Sequence, residues 1–347
     1  ACDIDSDGDI DILGAGSGII WWENDGIGGW TEHTIDTSGT VVYACDIDSD
    51  GDMDILGAGS GIFWWENDGT PGDGGWIKRT CSPFSAWGVY ASDIDNDGDF
   101  DLFVANYATN GEANQLFIND NGIFTENVGS IIASDNTNSF GSSFGDVDND
   151  GDLDLLVCNA YLGSQNTNYL YINNGAGNFS LDMTSDLATH QGWTFGGAFG
   201  DYNNDGWLDV ILANNLNDNQ TNSLFKNTGS GNNWIKLNLV GTVSNYSAVG
   251  AKIKLRSTIN ANETWQTRSI AAASGYCSQN SYSVHFGLGN ATIVDEIEIQ
   301  WPSGLIETFT GISTNDIYTA IEGDGTLGTS GIEARAITIY PNPVKDT

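Results

Sequence analysis

One nine-residue pattern, D-x-D-x-D-G-D-x-D, recurs along this chain in constant phase, and it narrows the possible folds more than any other feature. Complete copies run from Asp3 to Asp11, Asp46 to Asp54, Asp93 to Asp101 and Asp146 to Asp154; a degenerate copy runs from Asp201 to Asp209. Carboxylates at alternate positions repel one another unless a cation sits among them. The glycine at the sixth position permits the sharp turn that folds them inward. Oxygen-only donors in a flexible loop suit Ca²⁺, so the pattern predicts about five calcium sites.

In the first copy the predicted side-chain ligands are Asp3, Asp5, Asp7 and Asp11. The main-chain carbonyl of Asp9 takes a fifth place and water completes the shell. The other copies map alike: Asp46, Asp48, Asp50 and Asp54 with Asp52; Asp93, Asp95, Asp97 and Asp101 with Asp99; Asp146, Asp148, Asp150 and Asp154 with Asp152. The last copy offers Asp201, Asn203, Asp205 and Asp209, with the carbonyl of Trp207. Asn203 keeps an oxygen but loses a charge, which predicts the weakest site. An EF-hand loop would need Glu at its last position; the equivalent residues here are Gly14, Gly57, Val104, Val157 and Leu212. The segments that follow, such as Ile55-Leu56-Gly57-Ala58, read as buried strand rather than helix. The loop therefore joins two strands.

The copies start at 3, 46, 93, 146 and 201, and such spacing marks a propeller, solenoid or array. Each unit repeats a strand into the loop (Val41-Val42-Tyr43-Ala44-Cys45) and a strand out of it. A third, aromatic strand ends in a turn, as in Trp21-Trp22-Glu23-Asn24, Trp64-Trp65-Glu66-Asn67, Leu116-Phe117-Ile118-Asn119, Leu170-Tyr171-Ile172-Asn173 and Leu224-Phe225-Lys226-Asn227. A fourth follows, such as Trp30 to Ile35. Four strands per unit make a propeller blade, so the predicted fold is all-β: a β-propeller with Asp-rich loops, followed by a C-terminal antiparallel β-sandwich.

These units resemble the FG-GAP/VCBS repeats of calcium-binding β-propellers, a family that includes the integrin α-subunit head. The resemblance covers residues 1–232. It implies a calcium-stabilised propeller, commonly of about seven blades, whereas five motifs are visible. Ala1 and Cys2 leave almost nothing of the first blade's leading strand. Either further blades precede this chain or a strand from elsewhere completes that sheet. Residues 233–322 resemble the ASPIC/UnbV domain found with such repeats in cartilage acidic protein-like chains. The resemblance rests on Val249-Gly250-Ala251-Lys252-Ile253, Ser274-Gly275-Tyr276-Cys277-Ser278-Gln279 with His285-Phe286-Gly287-Leu288-Gly289, and Ile299-Gln300-Trp301-Pro302-Ser303-Gly304. Residues 323–331 read as a Gly/Thr/Ser-rich linker. Residues 332–347, with Tyr340-Pro341-Asn342-Pro343, resemble the start of a type IX secretion C-terminal sorting segment.

The formal charge of −37 argues against nucleic acid or an anionic membrane as partner. No stretch approaches the ~18 apolar residues of a membrane span. Of the five cysteines, Cys2 and Cys45 precede the loop in successive blades, where later blades carry Ser92, Gly145 and Gly200. Small size is the shared property, so a buried thiol is the preferred reading and a Cys2–Cys45 disulfide the alternative. None of His33, His190 and His285 accompanies a nucleophile signature such as Gly-x-Ser-x-Gly. The aromatic pairs invite a glycan-stacking reading, but neighbours on a strand face opposite sides, and blade-to-blade core explains them better. The expected function is a secreted, non-enzymatic calcium-binding protein for cell-surface adhesion or display, meeting a protein or glycan partner. A self-assembling filament or other homo-oligomer built by strand exchange, and a lectin, are the alternatives.

Overall fold

The structure, a computed structural model, describes residues 2–39, 41–83, 86, 88–106, 113–134, 137–160, 167–214, 220–229, 231–272, 275 and 278–329. The predicted sorting segment at 332–347 lies outside the described residues. Each Asp loop joins the first two strands of an antiparallel sheet, as the absence of a terminal Glu implied. Three blades have four strands in simple meander order: Val41–Cys45, Asp54–Ala58, Ile62–Asn67 and Trp76–Ser82; Gly88–Ser92, Asp101–Ala105, Gln115–Asp120 and Ile123–Glu126; Ser139–Gly145, Asp154–Asn159, Tyr169–Asn173 and Phe179–Leu181. The outer blades have three strands among the described residues. The first blade comprises Ile12–Ala15, Ile19–Asn24 and Trp30–Asp36, and its leading strand is reduced to one bridge between Cys2 and Asp11. The fifth comprises Thr194–Gly200, Asp209–Asn214 and Ser223–Phe225.

The second strand of each complete blade is buried along its whole length. It has a neighbouring strand on either side and a neighbouring blade on either face, which explains its continuous apolar run. The aromatic strand lies beside it in fixed register, with Leu56 opposite Trp64, Leu102 opposite Phe117 and Leu155 opposite Tyr171. The core is therefore a series of slabs between blades. One slab packs Leu56, Trp64, Val89, Leu102 and Phe117, and the next packs Phe103, Leu116, Phe144, Leu155 and Tyr171. Trp21, Trp64 and Trp65 are all buried in such slabs and only Trp22 is part-exposed, so these pairs form no row of exposed stacking platforms. Cys2 and Cys45 are buried free thiols, not a disulfide.

The second domain stacks two four-stranded sheets around a separate apolar core that includes Ile253, Phe286, Ile297 and Trp301. One sheet orders Asn262–Ser269, Lys252–Ile259, Ile293–Gln300 and Ile306–Ser313. Strand Lys252–Ile259 alternates inward and outward as its sequence predicts, with Ile253, Leu255, Ser257 and Ile259 buried. The other sheet orders Val284–Gly289, Asn233–Val240, Asp316–Ile321 and Leu327–Thr329. Its pairing departs from the antiparallel expectation once: Asn233–Val240 runs parallel to Asp316–Ile321, because the chain crosses through the opposite sheet before it returns. Leu327–Thr329, within the stretch read as linker, pairs with Asp316–Ile321 as an edge strand.

Candidate metal centre

The loops owe their shape to two left-handed residues. Position four (Ser6, Ser49, Asn96, Asn149 and Asn204) has φ between 58° and 63°, and the sixth-position glycine has φ between 86° and 107°. Asn and Gly occupy that region at least cost. With the chain so turned, the first aspartate accepts main-chain amides across the loop. Asp3 Oδ1 receives Asp7 N at 3.1 Å and its Oδ2 receives Gly8 N at 3.0 Å. Asp146 and Asp201 repeat both contacts with Asp150 and Gly151, and with Asp205 and Gly206.

This folding gathers carboxylates. Oxygens of Asp3, Asp5 and Asp11 lie within 4.8 Å of one another, as do those of Asp46, Asp48 and Asp50, of Asp93, Asp95 and Asp101, and of Asp146, Asp148 and Asp154. Of the remaining predicted side-chain ligands, Asp7, Asp54, Asp97 and Asp150 stand outside these groups. Among the described residues the fifth loop forms no such group. There the Asn203 amide donates to Asp205 Oδ2 at 2.8 Å, and Lys226 Nζ lies 3.3 Å from the same oxygen.

The gathered groups fit a cation. Asp46 Oδ1, Asp48 Oδ1, Asp95 Oδ1 and both oxygens of Asp93 are buried without a hydrogen-bond donor, a costly state unless an ion faces them. Burial pushes Asp3 and Asp93 up to about 6, and Asp54 and Asp101 up to about 8. Burial raises Asp146 and Asp154 as well, with neighbouring loop aspartates adding to it. Burial therefore opposes full ionisation of the second, third and fourth loops, a cost that a bound metal ion would offset. A divalent ion would supply charge neutralisation and fix the loop shape; carboxylate-only donors select a hard ion.

The ninth-position aspartate has a structural task as well. In every loop its Oδ2 accepts the position-two amide, from Ile4, Ile47, Ile94, Val147 and Tyr202 at 2.8 to 3.2 Å. Its Oδ1 accepts the amide of the asparagine that ends the aromatic strand, Asn24, Asn67, Asn119, Asn173 or Asn227, at 2.8 to 2.9 Å. Four of those asparagines then reach into the preceding blade. Their Nδ2 atoms donate to the carbonyls of Ile4, Ile47, Ile94 and Val147, at 3.1, 2.8, 2.9 and 2.7 Å. The loops also touch one another: Ser49 Oγ donates to Asp99, Asn96 Nδ2 to Asp152, and Asn149 Nδ2 to the carbonyl of Gly206.

The FG-GAP-like repeat family matches residues 3–57, 46–104, 93–157 and 160–212, more than half of the chain. The chain belongs to that family. Residues 241–327 of this FG-GAP-like protein match the ASPIC and UnbV family. Cartilage acidic protein 1 of Homo sapiens is 30% identical over 164 residues, 46% of this chain and 24% of that protein. The Xenopus tropicalis protein of the same name is 32% identical over 168 residues, 47% of this chain and 25% of that one. The chain thus spans about a quarter of these relatives. A crystal structure of a putative cell adhesion protein from Bacteroides ovatus ATCC 8483 covers 48% of this chain and 76% of its own at 10% identity, with a TM-score of 0.15, which carries no argument.

The repeat asparagines and the position-four residues are functional parts that the carboxylate pattern did not single out. Their signal was recurrence in phase with the loops. The histidines serve packing: His33 stacks on Trp21 at 4.3 Å and contacts Glu23 at 2.7 Å, while His285 Nε2 meets the carbonyl of Gly206 at 3.1 Å. His190 caps the short helix Asp186–Thr189.

Proposed function

We propose that this FG-GAP-like protein is a secreted, non-enzymatic scaffold whose blades are held by calcium and whose role is adhesion or display at the cell surface. The observation that carries the reading is the set of four three-carboxylate groups within 4.8 Å, repeated in phase along the blades. Family membership and the likeness to cartilage acidic protein 1 support an extracellular or surface setting. Among the described residues no helix is long and apolar enough to cross a membrane. The net charge of −37 favours cationic or calcium-bridged protein partners.

Isothermal titration of EDTA-stripped protein with CaCl₂ tests the reading. About four strong sites are expected, each adding roughly 2.7 kcal/mol of stability at a hundred times its Kd. The melting temperature should therefore rise by many degrees with calcium. No heat of binding and an unchanged melting temperature would remove the reading. A glycan array and sedimentation in calcium separate the lectin and filament alternatives from it.

A further inference from the structure

We propose that the second domain is a calcium-governed cap, seated on the loop face by Lys236, Lys252 and Arg268. The proposal rests on the calcium reading of the loops and adds a regulated contact to it.

Cations are scarce here, with only 10 lysines and arginines in the chain. Three of them leave the second domain to face the first aspartates of the loops. Lys236 Nζ sits 2.8 Å from Asp201 Oδ2 and 2.7 Å from Asn204 Oδ1, with the lysine and aspartate side chains 6% and 0% exposed. Lys252 Nζ lies 3.6 Å from Asp46 Oδ2. Arg268 is buried over the Phe286 ring and bonds within its own strand, to Thr267 O and Gln266 Oε1, while its charge acts at longer range on Asp146, Asp93 and Asp152. At Asp46 the division of labour is visible. Lys252 approaches Oδ2, while Oδ1 is buried and meets no donor, free for a metal ion. Ammonium and metal then take opposite oxygens of one carboxylate. A loop of five aspartates still carries −3 after one divalent ion binds, so the ion does not repel the lysine overall.

The glycines of the second domain's motifs fit the same seat. A Cβ on Gly287 would lie 2.0 Å from Asp146 Oδ2 and 2.4 Å from the Asn149 backbone. One on Gly275 would lie 2.4 Å from the carbonyl of Ser142. Closeness of that order allows main-chain bonds between the domains: Gly289 N donates to Asn149 O at 2.7 Å, and Ser281 N to Phe199 O at 3.2 Å. These contacts divide between the fourth loop, at Asp146 and Asn149, and the blade strands beside it, at Ser142 and Phe199. The loop half of that seat exists only while the fourth loop holds its turned shape. An unloaded loop leaves its gathered carboxylates uncompensated and loses that shape, and Lys252 on the second loop and Gly289 on the fourth then lose their seat. Coupling of this kind is reciprocal: calcium holds the cap, and the cap tightens calcium.

Hydrogen exchange on the intact chain, in calcium and in EDTA, tests the coupling beside calcium titration. In EDTA the amides of residues 281–289 should exchange at least tenfold faster, while the second domain's own core around Ile253 and Ile297 stays protected. Lys252→Met with Arg268→Met should release the same segment even in calcium and weaken calcium binding by roughly tenfold, within the range usual for such couplings. Lys252→Arg should keep most of both. Calcium binding with 281–289 equally protected in EDTA would overturn the cap and leave the calcium reading standing. Absence of calcium binding would overturn both. If the double variant does not fold, the wild-type comparison in EDTA decides alone.

Discussion

Replacing Asn119 with alanine isolates the contact that joins one blade to the next. Its fully buried side chain donates to the carbonyl of Ile47 in the preceding blade at 2.8 Å and to that of Phe100 at 3.1 Å. It also accepts the amide of Gly122 at 2.9 Å. Each bond contributes about 1 kcal/mol net, and each carbonyl left bare in the interior pushes the cost upward, so Asn119→Ala should destabilise by about 3 to 4 kcal/mol. Asn24, at the same place in the first blade, is the internal control. It is half-buried; its Nδ2 donates to Ile10 of its own blade at 3.2 Å and its Oδ1 accepts the exposed amide of Gly26 at 3.2 Å. Water can replace both bonds, so Asn24→Ala should cost about 1 kcal/mol. Urea unfolding of both variants in saturating calcium, followed by tryptophan fluorescence, reads the difference as a shift in midpoint at constant slope. The reasoning fails if Asn119→Ala falls within about 0.5 kcal/mol of Asn24→Ala, because the inter-blade carbonyl would then contribute nothing.

Two further outcomes are open to measurement. Glu322 is buried and accepts the amides of Thr242, Val243 and Ser244 and the hydroxyls of Ser244 and Ser303; these donors outweigh its burial and hold its carboxyl down at about 2. A folded value below the unfolded one stabilises at every pH above the unfolded range and is lost as pH falls toward about 2. Glu322→Gln should therefore melt lower than wild type near neutrality, and the gap should close in acid; a gap that persists unchanged there would refute the assignment. Burial raises Cys2 to about 12 and raises Cys45 as well, so neither thiol should react with a thiol reagent in the folded protein. Both should titrate after unfolding without reductant, whereas a disulfide would leave them silent.

The loops and blades were legible because their determinants are local. An aspartate at every second position, a glycine at the sixth and an apolar run directly after them lie within one short window. The missing terminal Glu was enough to exchange helix for strand on both sides. What escaped the sequence acts over longer spans. Asp101 shows the limit: as a predicted ligand it belongs to its loop, yet its oxygens also accept the amides of Ile94 and Asn119, and the second partner comes from another strand. Asn119 in turn finds Ile47 a whole blade away. No spacing rule announces that pairing; only the return of asparagine at the end of each aromatic strand hints at it.

The same distance separates charge from fold in the second domain. Lys236 lies in a strand whose alternation predicts only which residues face its own core. Its meeting with Asp201 depends on how one domain lies on the other. Gly287 and Gly275 belong to motifs that identify the second domain, yet the atoms a side chain would strike there belong to the blades. Those motifs therefore record an interface as well as a fold. In a chain of net charge −37, a buried lysine on a buried aspartate is costly to place unless the surrounding loops are already ordered. The five-fold pattern thus sets the conditions under which the rest of the chain can dock, and a loop that loses its ion should loosen a domain that carries none of its ligands.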